Sequence, residues 1–125
     1  MNDTEKRVLQ WFEAARSGNA KLLEAMMDEG FWTEAVSPLD GMTALMIACG
    51  ERRQACVELL ADNSEIDARD AWGNTALLVA AAAGNEDAVE LLLSKGADGA
   101  VSNKSGLDLA KARARVVERA RRRAE

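Results

Sequence analysis

The chain contains two copies of one stretch. Residues 41–61 read GMTALMIACGERRQACVELLA and residues 73–93 read GNTALLVAAAAGNEDAVELLL. Gly41 matches Gly73, Thr43 matches Thr75, Ala44 matches Ala76, Leu45 matches Leu77 and Ala48 matches Ala80. The run Val57-Glu58-Leu59-Leu60 then matches Val89-Glu90-Leu91-Leu92, still 32 residues on. A fixed period of this length predicts stacked supersecondary units, each unable to bury its apolar face alone. Each copy holds two apolar runs separated by a polar bend, so each predicts a pair of short helices. The inner helices are expected at about 43–50 and 75–82, the outer helices at about 54–62 and 86–94. Thr43 and Thr75 stand where an N-cap hydroxyl is needed, and Asn85 caps the second outer helix. At the bend the second copy has Gly84-Asn85 where the first has Arg52-Arg53, so local adjustment is expected in the first.

Weaker echoes flank the two copies. Residues 5–16 predict an amphipathic helix with apolar Val8, Leu9, Trp11, Phe12 and Ala15. Ala14-Ala15-Arg16-Ser17-Gly18-Asn19 resembles residues 80–85, and 20–29 supply a second helix with Gly30 as its stop. This first unit lacks a Gly-x-Thr start of its own, as a terminal repeat facing water often does. The adjacent Phe31-Trp32 pair either staples the next loop or anchors a partner. After Gly106 the spacer to Leu107-Asp108-Leu109-Ala110 reads three residues short, and Ser105 with Asp108 offers a capping box. One basic helix follows, with an expected apolar stripe of Leu107, Ala110, Ala114, Val117 and Ala120.

The period near 33 and the pattern Gly-x-Thr-x-Leu-x-x-Ala followed by a second apolar run resemble the ankyrin repeat. Asp67-Ala68-Arg69-Asp70 with Gly73, and the Gly96-Ala97-Asp98 start of the last unit, are similar to the family's finger hairpins. The family's Thr-Pro-Leu-His is here Thr43-Ala44-Leu45-Met46 and Thr75-Ala76-Leu77-Leu78. The resemblance implies an all-α solenoid of helix-turn-helix units joined by β-hairpin-like loops. One domain over 1–125 is expected, divided into an N-terminal cap (1–34), two repeats (35–66 and 67–99) and a C-terminal cap (100–125). The resemblance also implies a structural role for Asp70, whose carboxylate would accept backbone hydrogen bonds in the turn.

Composition removes several classes of function. The chain has no His, so neither a Ser-His-Asp nor a Cys-His arrangement can be built. No Gly-rich phosphate loop leads into a helix. Carboxylate pairs such as Asp28-Glu29 and Glu86-Asp87 sit at outer-helix ends, where charge meets water. No catalysis and no cofactor are expected. Cys49 and Cys56 align with Ala81 and Ala88, which makes them small buried side chains; two Cys without His are a poor metal set. No run approaches the roughly 18 apolar residues of a membrane span, and the N-terminus lacks the form of a signal peptide, so a cytoplasmic location is expected unless an unsignalled route exports the chain.

Charge is unevenly spread. Residues 1–103 carry 8 Lys/Arg against 18 Asp/Glu, while 104–125 carry 8 against 3. The acidic body favours a protein partner with a basic surface and disfavours nucleic acid and anionic membrane. The basic helix reads as a cap, as a segment folding back on the acidic array, or, in the alternative function, as an adaptor contacting nucleic acid or lipid.

Ankyrin arrays are binding scaffolds, so the resemblance implies a protein–protein interaction module that uses its hairpin tips and the concave face of its inner helices. Carried over by position, the tips are Leu39, Asp40 and Met42, then Ala71, Trp72 and Asn74. The inner faces contribute Met46, Gly50 and Glu51, then Leu78, Ala82 and Ala83. Trp72 is the expected anchor, with Asp40, Glu51 and Asp70 meeting basic groups. A packed role is open for Trp72 against Leu39 or Met42, and for Met46 and Leu78 between repeats. An inhibitor or immunity-type protein is a narrower form of the same reading, and an array without a partner is a third.

Overall fold

In the computed structural model, which describes residues 1–125, the chain forms seven helices and two isolated β-bridges. They are α1 (Asp3–Ser17), α2 (Ala20–Asp28), α3 (Ala44–Gly50), α4 (Gln54–Ala61), α5 (Ala76–Ala82), α6 (Glu86–Ser94) and α7 (Leu109–Ala124). The pairs α1/α2, α3/α4 and α5/α6 stack in register. Inner helices pack as α1 on α3, α3 on α5 and α5 on α7; outer helices pack as α2 on α4 and α4 on α6. The repeat solenoid expected from the 32-residue spacing is the architecture.

The capping residues start the helices where the sequence places them. The Thr43 hydroxyl accepts from the Met46 N–H and the Thr75 hydroxyl from the Leu78 N–H, each at 3.3 Å. Asn19 and Asn85 do the same for α2 and α6, accepting from Leu22 N–H and Ala88 N–H. Each such cap contributes about 1 kcal/mol. The inner helices are buried almost all round: Ala44 to Cys49 are buried in α3, and Ala76, Leu77, Leu78, Ala80 and Ala81 in α5. Alanine suits these positions because it lets the backbones of neighbouring helices approach closely. The largest buried side chain, Trp11, stacks on half-buried Phe31 with ring centroids 4.8 Å apart. Phe31 thus fastens the chain after α2 back to α1, not to the following loop, and Trp32 is 66% exposed. Cys49 and Cys56 are buried free thiols, and burial pushes the Cys49 thiol up to about 12.

The bend between α3 and α4 shows the expected adjustment. Gly18 and Gly84 take the left-handed conformation at their bends, and Arg52 is forced into it at φ 59°. The guanidinium groups beside it are used for stacking. Arg52 Nη2 donates to the Ala83 carbonyl of the next unit (2.8 Å), and Arg53 Nε to the Arg16 carbonyl of the preceding one (2.8 Å). Both carbonyls lie at an inner-helix C-terminus, where they lack intrahelical donors and where the helix dipole favours a cation.

The last unit differs from expectation in register. Asp108, two residues after Gly106, accepts from the Lys111 N–H at 2.9 Å and caps α7. Thr75 stands at the same distance after Gly73, so the spacer is complete and Ser105 is not the cap. The Leu-Asp-Leu-Ala spelling resembles the family three positions away from where the helix starts. The shift rotates α7. Ala112 is buried and Leu109, Arg113 and Val116 are half-buried, whereas Ala110, Ala114, Val117 and Ala120, expected to face inward, are exposed. Only Leu107 of that expected stripe is in the core.

Candidate functional site

Three finger hairpins project from the inner-helix N-termini. Each is closed by a backbone hydrogen bond between its arms: Ser37 N–H to Met42 O, Asp70 N–H to Asn74 O, and Asn103 N–H to Leu107 O, the first loop being one residue longer than the others. The turns are fixed from inside. The Asp70 carboxylate accepts from the Trp72 N–H and the Asn74 N–H, both at 2.9 Å, and from the Asn74 side-chain amide at 3.3 Å. Asn103 repeats this in the third finger, accepting from Ser105 and Leu107 N–H. In the first finger Ser37 holds that place: its hydroxyl accepts from the Leu39 N–H at 3.3 Å, and Asp40 Oδ1 accepts from the Met42 N–H at 3.0 Å.

The fingers are also tied to each other. Ala71 N–H donates to Asp40 O and Lys104 N–H to Trp72 O, both at 2.9 Å. Gly73 at φ 78° makes this approach possible, since a Cβ there would lie 3.3 Å from the Lys104 nitrogen. The three fingers therefore form one hydrogen-bonded ladder whose backbone is fixed before any partner arrives.

From that ladder two large apolar side chains stand in water. Leu39 is 92% exposed and Trp72 is 56% exposed, although the Trp72 backbone is held at both its N–H and its carbonyl. Ala71 is exposed beside it, and Asn74, Met42 and Asp40 are half-buried. Glu51 is exposed at the C-terminus of α3, as are Gly50 and Ala82 at the ends of the inner helices, with Ala83 half-buried.

Three expected contact residues lie elsewhere. Met46 and Leu78 are 1% and 0% exposed, because the first turn of each inner helix is covered by its neighbours in the stack. Asp70 is buried at 9% exposure and spends both oxygens inside its own turn, so its carboxylate is not free for a basic partner group. The structural role implied for it at the outset is the one the geometry gives.

The sequence reading missed one wall of the surface. In register, Leu9 of α1 corresponds to the cap residues Thr43 and Thr75, yet α1 begins at Asp3. About two extra helical turns stand where the other units have a finger. Their apolar face runs beside the first finger, and between them lies a groove of about 700 Å³. The missing signal was present: Val8 and Leu9 precede the position at which the helix would start if the first unit resembled the others.

The basic end is largely occupied by the fold. Arg113 donates two hydrogen bonds to Glu86, at 2.9 and 3.0 Å, which raises its pKa, and Arg119 donates to the Ala82 carbonyl at the end of α5. Arg121 and Arg122 pair with Glu118 within α7. No helix of the chain is long and apolar enough to cross a membrane, and no three His, Cys, Asp or Glu side chains converge to hold a metal.

Stacked helix pairs joined by projecting, mutually bonded hairpins define a repeat-array scaffold. The ankyrin-repeat family model, three copies of the repeat, matches residues 11–103, and the chain belongs to that family. Ankyrin repeats are in general protein–protein interaction modules, and the family is typically non-catalytic. The chain is 36% identical over 106 residues to mouse "Ankyrin repeat and SAM domain-containing protein 6", covering 83% of this chain and 12% of that protein. It is 39% identical over 84 residues to mouse "B-cell lymphoma 3 protein homolog", covering 59% of this chain and 19% of the other. It is 40% identical over 76 residues to human "Photoreceptor ankyrin repeat protein", covering 58% and 17%. The chain thus spans less than a fifth of the length of each of these relatives.

Proposed function

We propose that this chain binds a protein partner through its finger ladder, with Trp72 as anchor. The observation that carries the reading is a large aromatic ring left in water on a backbone fixed at both sides. Such a residue loses little conformational freedom on binding, and buried Trp side chains are among the commonest hot spots of interfaces. Leu39, Met42, Ala71 and Asn74 extend the contact along the tips, and Glu51 and Asp40 supply negative charge to a partner with a basic surface. The acidic balance of residues 1–103 acts in the same direction at longer range and raises the rate of encounter. We place this activity in the cytoplasm; an inhibitor-type role, in which the array covers a basic site on its partner, is a narrower case of the same contact.

The test is capture of partners from native lysate by the wild-type chain and by Trp72→Ala. The variant is expected to lose the partner while its melting temperature moves by no more than about 2 °C, as exposed positions rarely exceed 0.5 kcal/mol. A variant that melts far lower, or that retains every partner, places the anchor elsewhere.

A further inference from the structure

The groove beside α1 has a shape, a lining and a charge that together specify what fits it. One wall is a single face of α1, with Glu5, Val8, Leu9, Phe12 and Glu13 at helical spacing; the other is the first finger, through Leu39 and Met42. Ile47 and Phe12, both nearly buried, form the floor, while Leu9 is 54% exposed on the rim. The acidic groups at the edge are Glu5, Glu13 and Asp40. The basic groups are Arg16, which is engaged with Glu13 at 3.3 Å, and the amino group of Met1. Glu5 makes no ion pair, and Asp40 keeps one oxygen free of the turn bond to Met42.

The groove follows α1 from Thr4 to Arg16, a little over three turns or roughly 18 Å. A trough with an apolar floor and a polar rim beside a helix is what an amphipathic helix fills, through anchors at i, i+3, i+4 and i+7. Carboxylates on the rim then call for Lys or Arg on both flanks of the incoming stripe. The chain's own basic helix cannot reach the trough, because α7 packs on α5 at the other end of the stack.

We infer that the trough between α1 and the first finger receives an amphipathic helix of a partner protein, with aliphatic anchors on one face and Lys or Arg flanking them. This deepens the finger-ladder reading by naming the partner's chemistry, and rests on it only through Leu39, Asp40 and Met42.

The test uses three labelled synthetic peptides of about 18 residues. The first carries Leu at i, i+3, i+4 and i+7 with Lys on the flanks; the second has Glu for Lys; the third has the first peptide's composition in shuffled order. Binding is followed by fluorescence anisotropy and mapped by amide NMR shifts. The first peptide is expected to bind at least about tenfold more tightly than either control, a difference of 1.4 kcal/mol. Shifts should concentrate in residues 4–16 and 37–42. Leu9→Ala with Leu39→Ala should weaken binding about tenfold, and Glu5→Gln with Glu13→Gln should flatten its salt dependence. Trp72→Ala should leave peptide binding within about twofold. Equal binding of the shuffled peptide, no binding of the first, shifts centred away from the trough, or capture of a second copy's α7 in sedimentation would each overturn the inference. If the peptides fail while Trp72→Ala still abolishes native capture, the finger-ladder reading stands and this one falls. Should the double Leu variant unfold, the NMR map on the wild type decides alone.

Discussion

The two central repeats share a sequence pattern and reach the same shape by different chemistry. In residues 67–94 the backbone's needs are met locally: Asp70 holds the finger, Gly84 takes the left-handed bend and Asn85 caps the outer helix. In residues 35–62 none of those three residues is present. Ser37 closes the finger in place of Asp70, and Arg52 and Arg53 stand in place of Gly84 and Asn85. The first repeat therefore borrows from its neighbours. Its bend is held by guanidinium bonds to carbonyls one unit away on either side. A repeat that solves its own turns is stable where it stands; one that leans on both neighbours couples the stack. Nearest-neighbour coupling of this kind is what makes a short solenoid melt as one body.

The finger residues give the widest separation between the two. Asp70→Ala removes a buried carboxylate and leaves two amide donors and an Asn side chain without a partner. Hydrogen bonds to charged groups are worth about 1.5–3 kcal/mol, so a loss of about 3 kcal/mol is expected, read as a fall of roughly 10 °C in melting temperature. Asp40→Ala, which gives up one bond in a less buried turn, should cost about 1 kcal/mol. Equal costs for the two would mean that the fingers are held by their ladder and not by their own side chains.

Cys49 and Ala81 occupy the same place in the two inner helices, and only the first can ionise. The Cys49 thiol is raised to about 12 by burial, against about 9 in an exposed chain. A group whose pKa is higher in the folded state supports folding fully below the unfolded value and loses that support as pH rises through the folded one. The window is therefore from about pH 9 to about pH 12. Near pH 10.5 the loss is about 2 kcal/mol. Urea melts of Cys49→Ala and wild type should converge or cross between pH 8 and pH 10.5. Curves that stay parallel would show that the thiol is not held neutral. The same thiol should resist alkylation in the native state at neutral pH.

How much of this was readable beforehand depends on which residues one asks about. Thr43 and Thr75 mark the inner helices because each is a cap residue before a continuous apolar run that recurs 32 residues on. Asp108 has the same role but was obscured by Leu107-Asp108-Leu109-Ala110, whose spelling resembles the family out of register; only the hydrogen bond to the Lys111 amide shows where the helix starts. For Met46 and Leu78 the sequence leaves an open face and packing between repeats as alternatives, because periodicity says that a helix has an apolar side, not which neighbour covers it; both are packed. Val8 and Leu9 are legible as apolar positions of α1, but their spacing does not say that they outrun the stack and line a trough with Leu39. Side-chain identity carries the local turns; the packing partners of an apolar residue are set by the relative placement of helices, which no single window of sequence contains.

Outer-helix capping gives a smaller contrast. Asn85 accepts from the Ala88 N–H and donates its amide to the Cys49 carbonyl, so it serves both its own helix and the preceding unit. Asn85→Ala should cost about 1.5 kcal/mol. Arg53 is the corresponding residue of α4 and makes no side-chain cap bond. Arg53→Asn would supply the cap at the expense of the bond to the Arg16 carbonyl, and thermal melts should find it within about 0.5 kcal/mol of wild type. A large loss would show the inter-repeat bond to be worth more than a cap.

The finest test lies at the bend itself. Arg52 is the chain's one non-glycine residue at positive φ. Arg52→Ala and Arg52→Gly both abolish the bond to the Ala83 carbonyl, so their difference reports only the backbone. A Cβ in the left-handed region costs about 1–2 kcal/mol, and glycine returns part of that through its freer unfolded chain. Glycine should therefore be the more stable of the two by about 0.5–1 kcal/mol in denaturant melts. If Arg52→Gly also matches wild type, the guanidinium bond and the strain cancel, and the first repeat keeps arginine there for the sake of coupling. If alanine equals glycine, the bend relaxes once the arginine is gone, and the strained conformation is held by the bond to Ala83.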